Sequence, residues 1–284
     1  MRVGLFIPCY VDQFYPQVGI ATLELLEKFG CEVVYPPNQT CCGQPMANSG
    51  FEHLTQGCND LFIKNFEEFD FIVSPSGSCV LHIKDHLHAE GAAAHLHGHA
   101  GEGDRAGQGD RVGEGDRAGE GDRASKGAGS VGERGTTIPG KIYELVEFLT
   151  DVLKVESLEA SFPYRVGVHQ SCHGQRGLKL SQMTELMAAP FSKPEKLLRM
   201  VKGIELINLT RDDECCGFGG TFCVAEEAVS VKMGKDRVAD HLHHGAEYIT
   251  GADMSCLMHM EGILHRQKST VQVKHIAEIL NSQL

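Results

Sequence analysis

The tripeptide Cys-Cys-Gly occurs twice in the chain, at 41–43 and at 215–217, and it constrains the local fold at both places. Successive side chains of a β-strand point to opposite faces, so a strand would separate two adjacent sulfurs. A loop avoids this separation, because the following glycine lets the backbone turn and both sulfurs can face one centre. Each tripeptide therefore predicts a loop at a site that uses sulfur.

Two further cysteines accompany each tripeptide at comparable distances along the chain, one before it and one after it. They complete a first cysteine set and a second cysteine set: Cys9, Cys41, Cys42 and Cys79, and Cys172, Cys215, Cys216 and Cys256. The chain thus repeats one arrangement of four cysteines in its two halves.

Strand and helix patterns alternate around both sets in the same order. Pro16–Phe29 has the apolar spacing of an amphipathic helix, and Gly30 closes it. The expected strands are RVGLFIPC, CEVVYPP and FDFIVSPSGSC in the first half, and YRVGVHQSC, IELINLTRDDECCG and AEYITGADMSC in the second. Each strand runs into a cysteine, and the order strand, helix, strand, helix, strand occurs twice.

This alternation is typical of parallel sheets whose strands are joined by right-handed crossovers. Ligands of such sheets bind beyond the carboxyl ends of the strands, where the loops converge. We therefore expect an α/β fold of two pseudo-repeated lobes with parallel strands and crossover helices. The two cysteine sets should lie at the strand carboxyl ends.

A segment of different composition separates the two halves. Residues 101–124 contain four copies of a six-residue unit rich in Gly, Asp and Arg. So few large apolar side chains cannot offset the entropy of ordering, which predicts a disordered linker. The expected domains are 1–88 and 138–284, with the linker at 89–137. Histidines beside the repeat could hold stray zinc or nickel, although their loose spacing favours a linker: His86, His88, His95, His97 and His99.

The charge balance argues against a nucleic-acid partner. The 284 residues include 26 Lys and Arg against 38 Asp and Glu, a net charge of −12 without a basic run. The first apolar run ends at Pro8 with no signal cleavage site after it. No apolar run approaches the roughly 18–20 residues of a membrane helix. We therefore expect a cytoplasmic protein that is not transmembrane.

Eleven cysteines in a chain expected in a reducing compartment favour metal binding or redox chemistry over disulfides. Four thiolates are the usual ligands of a [4Fe–4S] cluster, and a cluster of several irons accommodates adjacent cysteines. Zinc is the alternative, because it also binds four thiolates in structural sites. Such zinc sites commonly use Cys-x-x-Cys knuckles, which this sequence lacks.

Four histidines near the two sets allow more than one interpretation. His82 and His259 each follow a cysteine by three residues. Each is an extra ligand, a hydrogen-bonding neighbour of the site, or a polar residue on the first turn of a helix. His169 and His173 flank Cys172 and either donate to a ligand sulfur or have a structural role.

Three cysteines lie outside the two sets. Cys31 and Cys58 fall in strand and helix patterns and are expected to be core thiols. Cys223 follows the second Cys-Cys-Gly closely, and it either touches that site or belongs to the core.

Several segments resemble a known family: PCYVDQFYP at 8–16, CCGQP at 41–45, SGSC at 76–79, HQSCH at 169–173, CCGFGGTF at 215–222 and GADMSCLM at 251–258. They resemble the cysteine-rich CCG-domain iron–sulfur proteins, which include the cysteine-rich subunit of heterodisulfide reductase and the iron–sulfur subunit of glycolate oxidase. The resemblance is strongest to the short stand-alone branch of the family that acts in lactate utilisation. The broader family signature ends each half in Cys-x-x-Cys, whereas this sequence has His82 and His259 at the last position. The resemblance therefore implies an ordinary four-cysteine site in each half.

The resemblance implies an iron–sulfur redox subunit of a multi-protein system that oxidises L-lactate, or another 2-hydroxy acid, to pyruvate. It implies two [4Fe–4S] clusters, with zinc as an alternative in one half. The implied partners are a ferredoxin-type iron–sulfur subunit and a third subunit, through which any membrane association would be peripheral. The sequence shows no flavin or nicotinamide site, so we expect electron transfer and no lactate oxidation by the chain alone. A zinc-binding structural subunit and a thiol–disulfide redox protein similar to heterodisulfide reductase stay open as alternatives.

Overall fold

In the computed structural model, which describes residues 1–87 and 137–283, the chain forms two four-stranded sheets. Every pair of neighbouring strands in both sheets is parallel. Helices alternate with the strands along the chain, as parallel connections require. The expected α/β fold with two lobes is confirmed.

The first sheet has the strand order β2-β1-β3-β4. Its strands are β1 Arg2–Leu5, β2 Glu32–Val34, β3 Phe71–Ser74 and β4 Ile142–Glu144. The central strands β1 and β3 are mostly buried, because helices cover both faces of a parallel sheet and leave no face for solvent.

The second sheet repeats this order as β6-β5-β7-β8. Its strands are β5 Arg165–Val168, β6 Glu205–Leu206, β7 Tyr248–Gly251 and β8 Gln272–His275. In each sheet the first strand, β1 or β5, is central and the second, β2 or β6, is at one edge. The third strand, β3 or β7, lies on the other side of the first, and the fourth, β4 or β8, forms the opposite edge.

The α-helices of the described residues differ widely in length. In chain order they are α1 Cys9–Phe14, α2 Pro16–Lys28, α3 Gln44–Asn48, α4 Gln56–Phe66, α5 Gly77–His86, α6 Ile138–Lys141, α7 Leu145–Glu147, α8 Lys193–Leu198, α9 Phe222–Ala225, α10 Glu227–His243, α11 Met254–Arg266 and α12 Ile276–Leu280. A 3₁₀ turn at Glu52–Thr55 and π-helical turns at Phe148–Val152 and His173–Gly177 add to them. None of the helices in this part of the chain is both long and apolar enough to cross a bilayer.

The fourth strand of each sheet was not anticipated from the sequence. Strand β4 follows the Gly-rich insert, in the range that the sequence-based division assigns to the second domain. It pairs with β3 of the first sheet, with Ile72 opposite Ile142. The first sheet thus takes strands from both sides of the insert. Residues 89–136 of the predicted linker and the histidines at 88, 95, 97 and 99 lie outside the described residues.

The two sheets meet where β3 and β7 end. Ser76 and Asp253 form an antiparallel bridge there, and the Gly77 N–H donates to the Ala252 carbonyl at 3.3 Å. One continuous cluster of buried apolar side chains includes residues of both sheets and their helices. The strand ends of the two lobes therefore face each other across a shared core.

We predict that Ile142→Ala destabilises the protein by about 2–5 kcal/mol, because Ile142 is fully buried and its truncation leaves a cavity. Urea unfolding at equilibrium would measure the change. Glu156→Ala, at an exposed position shortly after the same strand, is the control and should change stability by less than about 0.5 kcal/mol. Equal stability of the two variants would contradict the placement of β4 in the first sheet.

Candidate metal centres

The first cysteine set comes together where β1, β3 and the loop before α3 meet. Cys9 is the first residue of α1, and Cys79 lies in the first turn of α5. The sulfurs of Cys42 and Cys79 are 3.3 Å apart. Cys41 accepts hydrogen bonds from the thiols of Cys42 and Cys9. The four sulfurs thus form one continuous chain of contacts.

The second cysteine set repeats this arrangement at the second sheet. Cys172 directly precedes a π-helical turn, and Cys256 lies in the first turn of α11. Cys215 accepts hydrogen bonds from Cys172 and Cys216, and the sulfurs of Cys216 and Cys256 lie within 4.8 Å of each other. The structure therefore assembles all eight cysteines singled out in the sequence into two groups of the same construction.

The glycine of each Cys-Cys-Gly aims its own N–H back at a sulfur. Gly43 has φ +89° and donates to Cys41 Sγ at 3.4 Å, and Gly217 has φ +85° and donates to Cys215 Sγ at 3.3 Å. Residues other than glycine adopt such positive φ values only with strain. A Cβ atom at Gly217 would also lie 2.5 Å from the Ser230 carbonyl oxygen. The tripeptide is therefore a turn that places two sulfurs and one backbone donor around the same point.

The last cysteine of each set is positioned by a helix N-cap. Ser76 caps α5, and its hydroxyl accepts from the Cys79 N–H at 3.5 Å. Asp253 caps α11, and its carboxylate accepts from the Ser255 N–H at 3.1 Å and from the Ser255 hydroxyl at 2.6 Å. Each cap fixes the first helical turn, and with it the direction of the cysteine side chain.

Hydrogen bonds between neighbouring thiols shift the pKa values within each set. The bonds that Cys41 accepts from Cys42 and Cys9 lower the pKa of its thiol. The pKa of Cys215 is lowered in the same way, first by Cys172. One thiol of each set thus ionises easily, whereas four thiolates so close together repel one another unless a cation is present. The donor set therefore fits a thiolate-binding metal ion or an iron–sulfur cluster.

Both sets extend from the core towards the surface. Cys42, Cys79 and Cys216 are buried, whereas Cys9 is exposed and Cys172 is half-buried. A group held by either set would be shielded from water on one side and accessible on the other. That placement suits electron exchange with a partner.

The remaining candidate histidines lie near the two cysteine sets. His82 is buried, and this burial lowers the pKa of its ring. The rings of His82 and His86 are stacked with their centres 4.6 Å apart. The Nε2 atom of His259 lies 3.4 Å from the Ser230 carbonyl oxygen. His173 begins the π-helical turn after Cys172. The two histidines that follow Cys79 and Cys256 thus sit in helices beside the sets.

The three cysteines outside the sets have other surroundings. Cys31 is 7% exposed and belongs to the apolar core. Cys58 is half-buried on α4, and Cys223 donates from its thiol to the Gly220 carbonyl oxygen at 3.0 Å. Their sulfurs are not part of the two chains of contacts.

His169 lies beside the sulfurs of the second cysteine set. One of its ring nitrogens lies within 4.8 Å of the sulfurs of Cys216 and Cys256. The Nδ1 atom accepts a hydrogen bond of 3.2 Å from the Nε of Arg237, which is fully buried. Burial and the nearby guanidinium lower the pKa of His169 to about 3. The ring is therefore neutral at physiological pH.

Sequence reasoning missed three residues that shape this region. Arg237 lies on the buried face of α10 one turn before His241, a pattern that signals a charged group among core positions. Asp253 precedes a helical pattern, which is the signature of an N-cap. The Tyr10 hydroxyl lies 3.1 Å from Ser76 Oγ and donates to Asp253 at 3.3 Å. No local pattern could have indicated that last contact, because its partners are distant in sequence.

Comparison with known proteins identifies both halves of the chain. The family model described as a cysteine-rich domain, CCG, matches residues 3–84 and again residues 166–261. These two ranges enclose the first and second cysteine sets respectively. The chain therefore belongs to the cysteine-rich domain family.

Relatives named lactate utilization protein A align with almost the entire chain. One from a Geobacillus species (strain WCH70) is 38% identical over 283 residues, which is 100% of both chains. One from an Exiguobacterium species (strain AT1b) is 39% identical over 282 residues, 99% of this chain and 97% of the relative. One from Bacillus subtilis (strain 168) is 36% identical over 283 residues, again 100% of both. The chain is a member of the same family as these proteins.

We predict that Gly217→Ala destabilises the protein at the turn that holds Cys215 and Cys216. The positive φ costs about 1–3 kcal/mol in a residue with a side chain, and the contact with the Ser230 carbonyl oxygen adds to it. Thermal or urea unfolding would measure the loss. The matched control is Gly262→Ala on the exposed side of α11, where a Cβ would meet none of the described atoms within 4 Å. That variant should be more stable by roughly 0.5–1 kcal/mol, and a similar gain in Gly217→Ala would contradict the turn geometry.

Proposed function

We propose that this member of the cysteine-rich domain family is an iron–sulfur redox subunit of a multi-protein system that oxidises L-lactate to pyruvate. The observation that carries the proposal is the pair of four-sulfur sites with the same construction at facing sheet ends. The relatives over the whole chain are named for lactate utilisation, which supports the substrate.

The eight cysteines of the two sets would be the ligands, four to each [4Fe–4S] cluster. A bound cluster of this kind supplies one-electron transfer. The chain itself holds the sulfurs at fixed positions, donates N–H groups to them and keeps water from the buried side. The Gly43 and Gly217 N–H groups already point at sulfur and would help to set the reduction potential.

The proposal includes partners, because electrons need a donor and an acceptor. The G-x-G-x-x-G spacing at 127–132 lies in the Gly-rich insert and follows no strand pattern, so it does not predict a dinucleotide site, and the hydride or electron pair of lactate would be taken up elsewhere. A ferredoxin-type iron–sulfur subunit and a third subunit would complete the system in the cytoplasm. Contact with a membrane would be peripheral and through these partners.

A structural zinc protein is the second candidate, and one observation favours it. His169, Cys216 and Cys256 present ligand atoms within 4.8 Å of one another, a mixed donor set of the type that zinc accepts. Zinc in the second cysteine set would organise the second lobe without redox chemistry.

Metal analysis of anaerobically purified protein separates the two candidates. We predict about eight irons and about eight acid-labile sulfides per chain, as two [4Fe–4S] clusters require. An electron paramagnetic resonance signal should appear on reduction. One or two zinc ions per chain, with neither iron nor a paramagnetic signal, would refute the iron–sulfur proposal.

Serine variants test which residues hold the metal. Cys42→Ser and Cys216→Ser should each remove or convert one cluster, with a loss of up to about four irons. Cys58→Ser is the control, because Cys58 lies outside both chains of sulfur contacts. Equal iron in all three variants would contradict the ligand assignment.

Growth on L-lactate tests the proposed pathway role. In a bacterium that carries this gene in place of its own homologue, Cys216→Ser should abolish growth on L-lactate as sole carbon source. Growth on glucose should be unchanged, and Cys58→Ser should grow on both. Normal growth of Cys216→Ser on L-lactate, despite loss of its cluster, would contradict the role.

A further inference from the structure

The two sulfur sites differ in the side chain that follows the first strand of each sheet. Strands β1 and β5 read RVGL and RVGV, and both lead into the first cysteine of their set a few residues further on. Phe6 follows β1, whereas His169 occupies the equivalent position after β5. The two lobes therefore share the backbone arrangement but differ in the side chain at this position, which is apolar in the first lobe and polar in the second.

The helix that packs on each strand differs in the same way. Gly4 of β1 leaves room for Phe66, and Phe6 packs edge-on against Phe62 with ring centres 5.0 Å apart. In the second sheet, Gly167 leaves room for His241, and Arg237 stands one helical turn earlier. An aromatic cluster beside the first cysteine set is thus replaced by a buried histidine and arginine beside the second.

The arginine determines which nitrogen of His169 carries the proton. A guanidinium group remains protonated in proteins and can only donate. Its Nε–H points at Nδ1 of His169 over 3.2 Å, so Nδ1 is the acceptor. In a neutral imidazole the other nitrogen then holds the hydrogen. Arg237 is itself held by the carbonyl oxygens of Arg211 and Val168, at 2.5 Å and 3.4 Å.

The Nε2–H of His169 needs an acceptor. This atom is buried and has no hydrogen-bond partner among the described residues, although buried donors are almost always paired. The sulfurs of Cys216 and Cys256 lie within 4.8 Å of the ring. A thiolate or a cluster sulfide at that place would accept the bond.

We infer that His169 is a hydrogen-bond donor to the sulfur of the second metal centre, and that Arg237 fixes the tautomer that makes it so. The inference rests on the proposed function in one respect, since it requires a metal held by the second cysteine set. It does not make His169 a ligand. Binding of a metal through Nε2 while Nδ1 accepts from Arg237 would require the imidazolate anion.

The pair would make the second centre easier to reduce than the first. Reduction adds negative charge to a cluster and its sulfurs, and both an N–H donor and a buried cation stabilise that charge. The first cysteine set has Phe6, Phe62 and Phe66 at the equivalent positions, which offer neither. An electron shared between the two centres would therefore reside on the second.

The tautomer can be measured without iron. In protein loaded with zinc and labelled with ¹⁵N-histidine, long-range proton–nitrogen correlation spectra report the protonation of each ring nitrogen. We expect His169, assigned by its loss in His169→Phe, to carry hydrogen at Nε2 and none at Nδ1. A ring with hydrogen at Nδ1, or with Nε2 bound to zinc, would overturn the inference.

The reduction potentials provide the second test, on iron-loaded protein followed by electron paramagnetic resonance. Cys42→Ser removes or converts the first cluster, so the couple that this variant leaves unchanged belongs to the second cysteine set. We expect His169→Phe to lower that midpoint, with a change of about tenfold in the oxidised-to-reduced ratio, or about 59 mV for one electron. His169→Gln, which keeps an N–H donor, should restore most of the difference. An unchanged second midpoint in His169→Phe would overturn the inference.

A matched control and a second variant make the outcome specific. Phe6→Leu, at the equivalent position of the first sheet, should leave the second midpoint unchanged. In Arg237→Gln the hydrogen of His169 should no longer be restricted to Nε2. If this buried variant fails to fold, the test rests on His169→Phe. Protein that holds zinc alone would refute the proposed redox function, while the tautomer measurement would still decide the role of His169.

Discussion

The carboxylate of Asp253 connects the two sulfur sites of this protein. One of its oxygens accepts the backbone N–H of Ser78 at 2.7 Å, and the other accepts that of Ser255 at 3.1 Å. The first bond lies at the start of α5 and the second at the start of α11. Each of these helices delivers the last cysteine of one set, so a single side chain from the second lobe orients both. The relative position of the two sites is therefore fixed in part by the hydrogen bonds that this carboxylate accepts from two backbone N–H groups.

This junction shows how a repeated backbone comes to carry different side chains. Ser76 caps α5 with a short hydroxyl, and Asp253 stands in its place before α11. Only the longer, charged group can cap its own helix and still reach across to the other. Two serines would satisfy each helix alone but would lack the carboxylate bond across the junction, whereas two aspartates would place like charges together. The asymmetry thus lets one carboxylate cap its own helix and also bond to the start of the other.

The sequence predicts the parts of the fold that depend on local pattern. Apolar runs such as 3–7 indicate the central strands, and the glycine after each cysteine pair indicates the left-handed turns that the structure contains. Strands β4 and β8 escaped prediction, because three residues are too few for a periodic pattern and Gln272–His275 is largely polar. The contact between His169 and Arg237 also escaped, because it joins a strand end to a helix 68 residues later. Such contacts depend on how layers pack, which a single sequence does not express.

The burial of Arg237 is hard to explain by stability alone. Moving a guanidinium out of water is costly, and a buried charge is repaid only by good hydrogen bonds and counter-charges. The structure supplies these from Asp240 at 3.5 Å and from two backbone carbonyls. Yet the first sheet fills the equivalent space with Phe62, so an apolar side chain is compatible with the same backbone. Packing alone therefore does not require a charged side chain at this position. The buried arginine is explained instead by its hydrogen bond to His169, which lies beside the sulfurs of the second cysteine set.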